Sequence, residues 1–265
     1  GIGAGDEVLE MCTAPARLGL SATPPEDGIR RSRLDMLVGP EVYRARVEDL
    51  AGRYLAPFEL ITISVRLTPP ERHAYDTEVS VFRPICRAFF EAAPGASWSE
   101  FVASAGRSDS GRRALAAWRR SRAIVHYNTE KRRIVNELLL RHRDSRILIF
   151  AADNVTAYSI AREHLIQPIT CDIGKKERTR SLQRFRNGEL RVLVSARVLN
   201  EGIDVPAAEV AIIAGGSQGS REYVQRVGRV LRPSEGKKAA VYVLVARDTF
   251  EVRRADEHRR ALAAR

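Results

Sequence analysis

In the run Gln225-Arg226-Val227-Gly228-Arg229-Val230-Leu231-Arg232-Pro233, arginines sit at fixed offsets around a glycine. Arg229 and Arg232 are three apart, so on a helix they leave one face and can grip neighbouring phosphate oxygens with planar guanidinium forks. Gly228 lets a second backbone approach. A solvated basic helix has the same spacing, so the run has to be read with what precedes it. Arg191-Val192-Leu193-Val194-Ser195 is an apolar, β-branched run of the kind that forms a buried parallel strand. It opens into Ala196-Arg197-Val198-Leu199-Asn200-Glu201-Gly202-Ile203-Asp204-Val205-Pro206. Loops at the carboxyl ends of parallel strands are where open α/β sheets bind ligands. Asp204 offers a carboxylate to a ribose hydroxyl or another donor; a self-capping turn uses the same residues. A second apolar run, Val210 to Ala214, precedes the arginine segment.

The order strand, polar loop, strand, arginine helix resembles one half of a nucleic-acid motor. Ser195 to Pro206 resembles motif V of the superfamily 2 helicases, and Gln225 to Pro233 resembles motif VI. Ile147-Leu148-Ile149-Phe150-Ala151-Ala152 resembles motif IV, and Ser21-Ala22-Thr23-Pro24 resembles motif III. Four motifs in family order, nearest to the XPB-type DNA helicases, span nearly the whole chain. The resemblance implies that ATP and Mg2+ bind between two motor domains, mainly on the first. Arg229 and Arg232 would then act as arginine fingers, with Gln225 near the γ-phosphate or attacking water. Glu201, Gly202 and Asp204 would sense nucleotide, while Ser21, Ala22 and Thr23 would couple hydrolysis to movement. Ser195, Arg197, Asp153 and Asn154 would face the nucleic-acid backbone.

No GxxxxGK[ST] loop occurs in the chain, so the phosphate cradle and its lysine are absent and the chain alone is expected to hydrolyse no ATP. Asp6-Glu7 reads as a helix start rather than as the magnesium-binding acidic pair, which the complete enzyme would carry upstream of Gly1. Gln225 stands where DEAD-box RNA helicases have histidine, which argues for DNA, although DEAH-type RNA helicases keep glutamine. The alternatives are an RNA helicase, a restriction-type DNA translocase, or a non-catalytic nucleic-acid-binding module. Implied partners are DNA, single-stranded or forked, and a nuclease or other repair or transcription protein.

The chain has 265 residues and a net charge of +11, and only five of its 44 basic residues are lysine. Such arginine richness reflects either a nucleic-acid partner or genome base composition. Three distant cysteines and five scattered histidines offer no disulfide framework and no metal-ligand spacing, so no metal site is expected in the chain itself. No apolar run approaches the ~18 residues of a membrane span, so a cytoplasmic location, or a nuclear one in a eukaryote, is expected.

The elements expected around these residues make an α/β fold: a RecA-like parallel sheet with flanking helices, a helical insertion, and the end of a first motor domain. Residues 1–68 would end the first domain, with a core strand at Leu18 to Thr23 and a half-exposed strand at Leu60 to Leu67 leading out. Residues 69–126 would form the insertion, similar in position to the family's thumb. Its first helix starts at Pro69 and is expected to kink or break at Pro84, and Ser97 caps a second. Between 107 and 122, six arginines face one aspartate, and Arg112, Arg113, Arg119 and Arg120 are the candidate DNA contacts. Residues 127–265 would form the second motor domain, including a short strand at Ile169 to Cys171.

Overall fold

Several helix starts are written locally in this chain, and a computed structural model places them where their caps stand. It describes residues 6–21, 28–43, 58–196, 208–216 and 239–263. Helices α1 (Asp6–Glu10) and α2 (Gly28–Leu37) make up the first section. Strand β1 (Phe58–Val65) leads to the insertion: α3 (Pro69–Ala92), α4 (Trp98–Ala105) and α5 (Asp109–His126). Thereafter come α6 (Thr129–Arg141), β2 (Ile147–Phe150), α7 (Asn154–His164), β3 (Gln167–Ile169) and α8 (Lys175–Arg186). Strands β4 (Val192–Ser195), β5 (Val210–Ile213) and β6 (Ala239–Ala246) and helix α9 (Phe250–Ala263) complete the order. Ser97, Ser108, Asn128 and Asp153 each accept a backbone amide at the first turn of the following helix, removing an otherwise unpaired donor.

Six parallel strands form one sheet in the order β1-β6-β5-β2-β4-β3. Strand β2 lies inside it and is buried at all four residues, as a parallel strand covered on both faces must be. On one face, Ile134, Val135 and Leu138 of α6 and Ala157 and Ile160 of α7 pack with Ile147, Ile149 and Val194. On the other, Leu182 and Phe185 of α8 pack with Leu148, Phe150, Ile169 and Leu193. This is the RecA-like arrangement expected from the alternation of strands and helices.

Four local expectations change. The strand leading out of the first section is β1, and it pairs with β6 along its whole length, making it the outer strand of the second section's sheet. Its alternating pattern marked a strand but could not name a partner so distant in the chain. Leu18 and Leu20 are more than 80% exposed and residues 18–21 form no strand; Ala22 and Thr23 lie outside the described residues. A strand needs neighbours for its backbone groups, and this section is held differently. Arg17 donates to the carbonyls of Leu37 and Cys12 at 2.6 and 2.8 Å, and Arg33 joins Asp6 and Glu10. Pro84 does not interrupt the helix: α3 runs 24 residues through it, packed against α5 and over the aromatic cluster below. The third strand falls at Gln167–Ile169 because Ile169 pairs with Ser195, the last residue of β4, leaving nothing beyond to pair with. Its Pro168 is tolerated on an edge strand.

The insertion has its own core. Phe101 is 1% exposed among Phe82, Phe89, Phe90 and Trp98, with ring centroids 5.0–6.3 Å away. Gly111 permits the tight return from α4 to α5: a Cβ there would fall 2.1 Å from the Ala105 carbonyl oxygen.

Candidate functional site

The sheet's carboxyl edge is the candidate site. From β2 the chain moves through α7 towards β3, whereas from β5 it moves to β6 on the other side, so the strand order reverses between β2 and β5. Ligands of open α/β sheets bind at such a reversal. The loop after β2 and the turn after β5 meet there so closely that a Cβ on Gly216 would fall 2.0 Å from Ala152 Cα; Gly216 also has φ of +85°. The edge is closed by main-chain bonds from Ala151 N to Ser195 O (2.8 Å) and from Ala214 N to Phe150 O (3.0 Å).

Beside this reversal a buried ion pair locks four elements. Lys131 Nζ of α6, with no exposed surface, donates to both Glu251 carboxylate oxygens and to Ala214 O, each at 2.8 Å. Glu251 of α9 also accepts the Ala246 amide at 2.9 Å. Burial lowers the Lys131 pKa, opposed by Glu251. The pair thus holds the carboxyl ends of β5 and β6 on this edge.

Asp153, expected to face nucleic acid, is half exposed and has protein partners at this edge. It accepts the Thr156 amide at 2.8 Å and lies 3.4 Å from His126 Nδ1 at the end of α5. The His126 ring, chiefly, and the Thr156 amide hold its carboxyl down to about 2, against the effect of burial. Asn154 donates to Asp172 Oδ2 at 2.9 Å and to Cys171 Sγ at 3.0 Å. Ser195 ends β4 fully buried, its hydroxyl without a hydrogen-bond partner among the described residues. Asp153, Asn154 and Ser195 therefore do share one edge. Ser21 lies exposed in the first section. Ala22, Thr23, Arg197, Glu201, Gly202, Asp204, Gln225, Arg229 and Arg232 fall outside the described residues. Among the described residues no His, Cys, Asp or Glu group of three or more could hold a metal ion, and no helix is long and apolar enough to cross a membrane.

The insertion is bolted to this edge at its root. Glu71 Oε2 takes the Thr68 amide and hydroxyl, while Oε1 takes the Thr129 amide and hydroxyl, all at 2.8–2.9 Å, so one carboxylate caps both α3 and α6. Arg72 donates to the carbonyls of Arg247 and Asp248 at 2.9 and 3.2 Å. Arg122 stacks over Phe250 (3.8 Å) and Trp118 (4.9 Å), and burial pulls its pKa down to about 10, with Arg254 acting in the same direction. From His126 at the edge, α5 runs outward, placing Arg112 about 21 Å away along the helix. Arg112, Arg113, Arg119 and Arg120 are all exposed on one broad face of it. Two are already engaged: Arg120 forks Glu78 at 2.6 and 2.9 Å, and Arg112 pairs with Asp109 and the Gly106 carbonyl. Arg113 and Arg119 have no ion-pair or hydrogen-bond partner among the described residues.

The sequence reading missed Lys131, Glu251, His126 and Glu71. Only the glycine pair 215–216 straight after a buried strand signalled a close approach at this edge.

Residues 130–234 match the family of helicase conserved C-terminal domains. The chain is 34% identical over 252 residues to the DNA 3′-5′ translocase XPB2 of Sulfurisphaera tokodaii, covering 93% of this chain and 56% of that protein. To the DNA 3′-5′ helicase XPB of Kineococcus radiotolerans it is 31% identical over 253 residues, covering 94% of this chain and 39% of the relative. The chain thus spans about half or less of the length of these relatives. The helicase domain of Pyrococcus furiosus Hef superposes with a TM-score of 0.60 at 17% identity, over 98% of this chain and 71% of that one, which shows a shared fold.

Proposed function

This chain belongs to the superfamily 2 helicases of the XPB type, and on that premise we propose that it supplies the second motor domain and a DNA-gripping insertion to an ATP-driven DNA translocase or helicase of repair or transcription. One observation supports this most: β4 and β5 flank β2. The carboxyl ends of β4 and β5, the strands that precede the motif V-like and motif VI-like segments in the chain, are therefore about 10 Å apart on one edge, at the reversal of strand order.

On this reading ATP, with Mg2+ held mainly by the first motor domain, supplies the phosphoryl transfer that drives movement. Arg229 and Arg232 reach across from this chain and neutralise charge developing on the transferring phosphoryl group. Gln225 orients the attacking water, and Glu201, Gly202 and Asp204 respond to the nucleotide and the facing domain. Arg197 and Asn154 border the nucleic-acid path, whereas Ser195, expected beside them, is fully buried and does not reach it, and Asp153 positions the loop through its helix cap and His126. The insertion holds DNA through Arg113 and Arg119, with Arg112 and Arg120 behind their acidic partners. Movement runs 3′ to 5′, as the names of the two relatives state for themselves. The test is ATP hydrolysis by the full-length protein with single-stranded DNA, with RNA, and with neither. Stimulation by DNA is expected, and stimulation by RNA alone reassigns the chain to an RNA helicase. Hydrolysis by residues 1–265 alone would contradict the division of labour.

A further inference from the structure

Helix α8 carries Lys176, Arg180 and Arg184 in a row, each four residues and about 6 Å from the next. All three are exposed, on the side opposite Leu182 and Phe185, which anchor the helix to the sheet. The arrangement works against the helix twice. Like charges four apart repel, and Lys175 and Lys176 place positive charge in the first turn, where the helix dipole disfavours it. Relief within the protein is slight: Arg184 meets Glu189 at 3.1 Å, both half exposed, and Lys176 and Arg180 have no ion-pair or hydrogen-bond partner among the described residues. The three cations line one shallow groove together with Thr179, Gln183, Asn187 and Glu189, with no apolar side chain.

We infer that this face of α8 is a second, sequence-independent contact for the phosphate backbone of DNA. A row of cations about 6 Å apart is comparable in step to successive phosphates of a strand, and Thr, Gln and Asn are side chains that donate to phosphate oxygens. An acidic protein partner fits less well, since protein interfaces centre on aromatic, Met or aliphatic anchors and this groove has none. The site is separate from the insertion. Helix α8 covers one face of the sheet, whereas α6, α7 and the root of α3, through Tyr75 and Val79, cover the other. DNA held by α5 and DNA held by α8 would therefore lie on opposite sides of the motor domain.

The inference rests on the DNA reading above, and one experiment separates the two. Full-length protein and its Lys176→Ala/Arg180→Ala/Arg184→Ala variant are titrated with a fluorescent forked duplex across a salt series, alongside basal ATPase and circular dichroism. The expected result is a salt slope reduced by about 2.7, three contacts at about 0.9 each, with folding and basal ATPase unchanged. An unchanged slope, when an Arg113→Ala/Arg119→Ala variant does reduce it, removes the α8 contact and leaves the DNA reading standing. No DNA binding by the wild type overturns both. Poly-glutamate displacing the duplex as well as unlabelled DNA does would assign the row to an acidic protein instead.

Discussion

Lys131 is the residue whose loss should be felt most. Three oxygens and no solvent surround its ammonium group, so replacing it with methionine leaves Glu251 charged and buried, without its direct cationic partner and with the Ala246 amide and the field of Arg122 to offset the charge. Breaking a buried pair on one side costs about 3–5 kcal/mol, and thermal denaturation of Lys131→Met should show a loss of that order. A loss below about 1 kcal/mol would mean that the pair is water-accessible in solution. Two carboxylates set the acid limit. Hydrogen bonds from Thr129 and Thr68 outweigh burial and lower the Glu71 pKa, and Asp153 is held down to about 2. Both are depressed on folding, so their stabilisation is fully present above the ordinary carboxylate range. For Asp153 it is lost as pH falls from about 4 through 2. Urea titrations between pH 6 and pH 3 should show stability falling towards acid, with a shallower fall in Glu71→Gln. The Lys131–Glu251 pair was not legible, since the two residues are 120 positions apart and neither stands in a motif.

Helices were legible because their signals are local. Thr68 with Glu71, Ser97 with Glu100, and Asn128 mark starts within one turn, and the buried strands at 147, 192, 210 and 239 are apolar runs. What failed was non-local: the partner of β1, and the lack of one for Leu18 and Leu20. Pro84 shows the same limit in reverse, since packing overrode a strong local signal. The insertion should behave as a unit with its own core. Phe101→Ala removes the ring at its centre, at a cost of about 3–5 kcal/mol. Hydrogen exchange should then quicken in α4 and the outer parts of α3 and α5 while β2, β4 and β5 stay protected; uniform loss would show that insertion and sheet unfold together. Arg113 and Arg119 are the unpaired arginines of the α5 face, so their joint replacement by alanine should lower the salt slope of DNA binding by about 2. Equal loss from Arg120→Ala alone would show that Glu78 releases its arginine to DNA.

At the scale of the molecule, the described residues form a parallel sheet braced at its carboxyl edge by a buried ion pair and extended by a helical arm. The runs resembling motifs V and VI were legible because each follows an apolar strand-forming run; that the two strands, β4 and β5, lie on either side of β2 was not, since strand order is set by pairing distant in the chain. The facing half of the proposed ATP site belongs to another domain, so the central claim is about a composite site. Its most direct test is DNA-stimulated ATP hydrolysis by full-length Arg229→Ala, with DNA affinity and thermal stability measured on the same sample. The account predicts stimulated hydrolysis reduced by about 10³-fold or more, with DNA affinity and stability retained. Hydrolysis at the wild-type rate would contradict it.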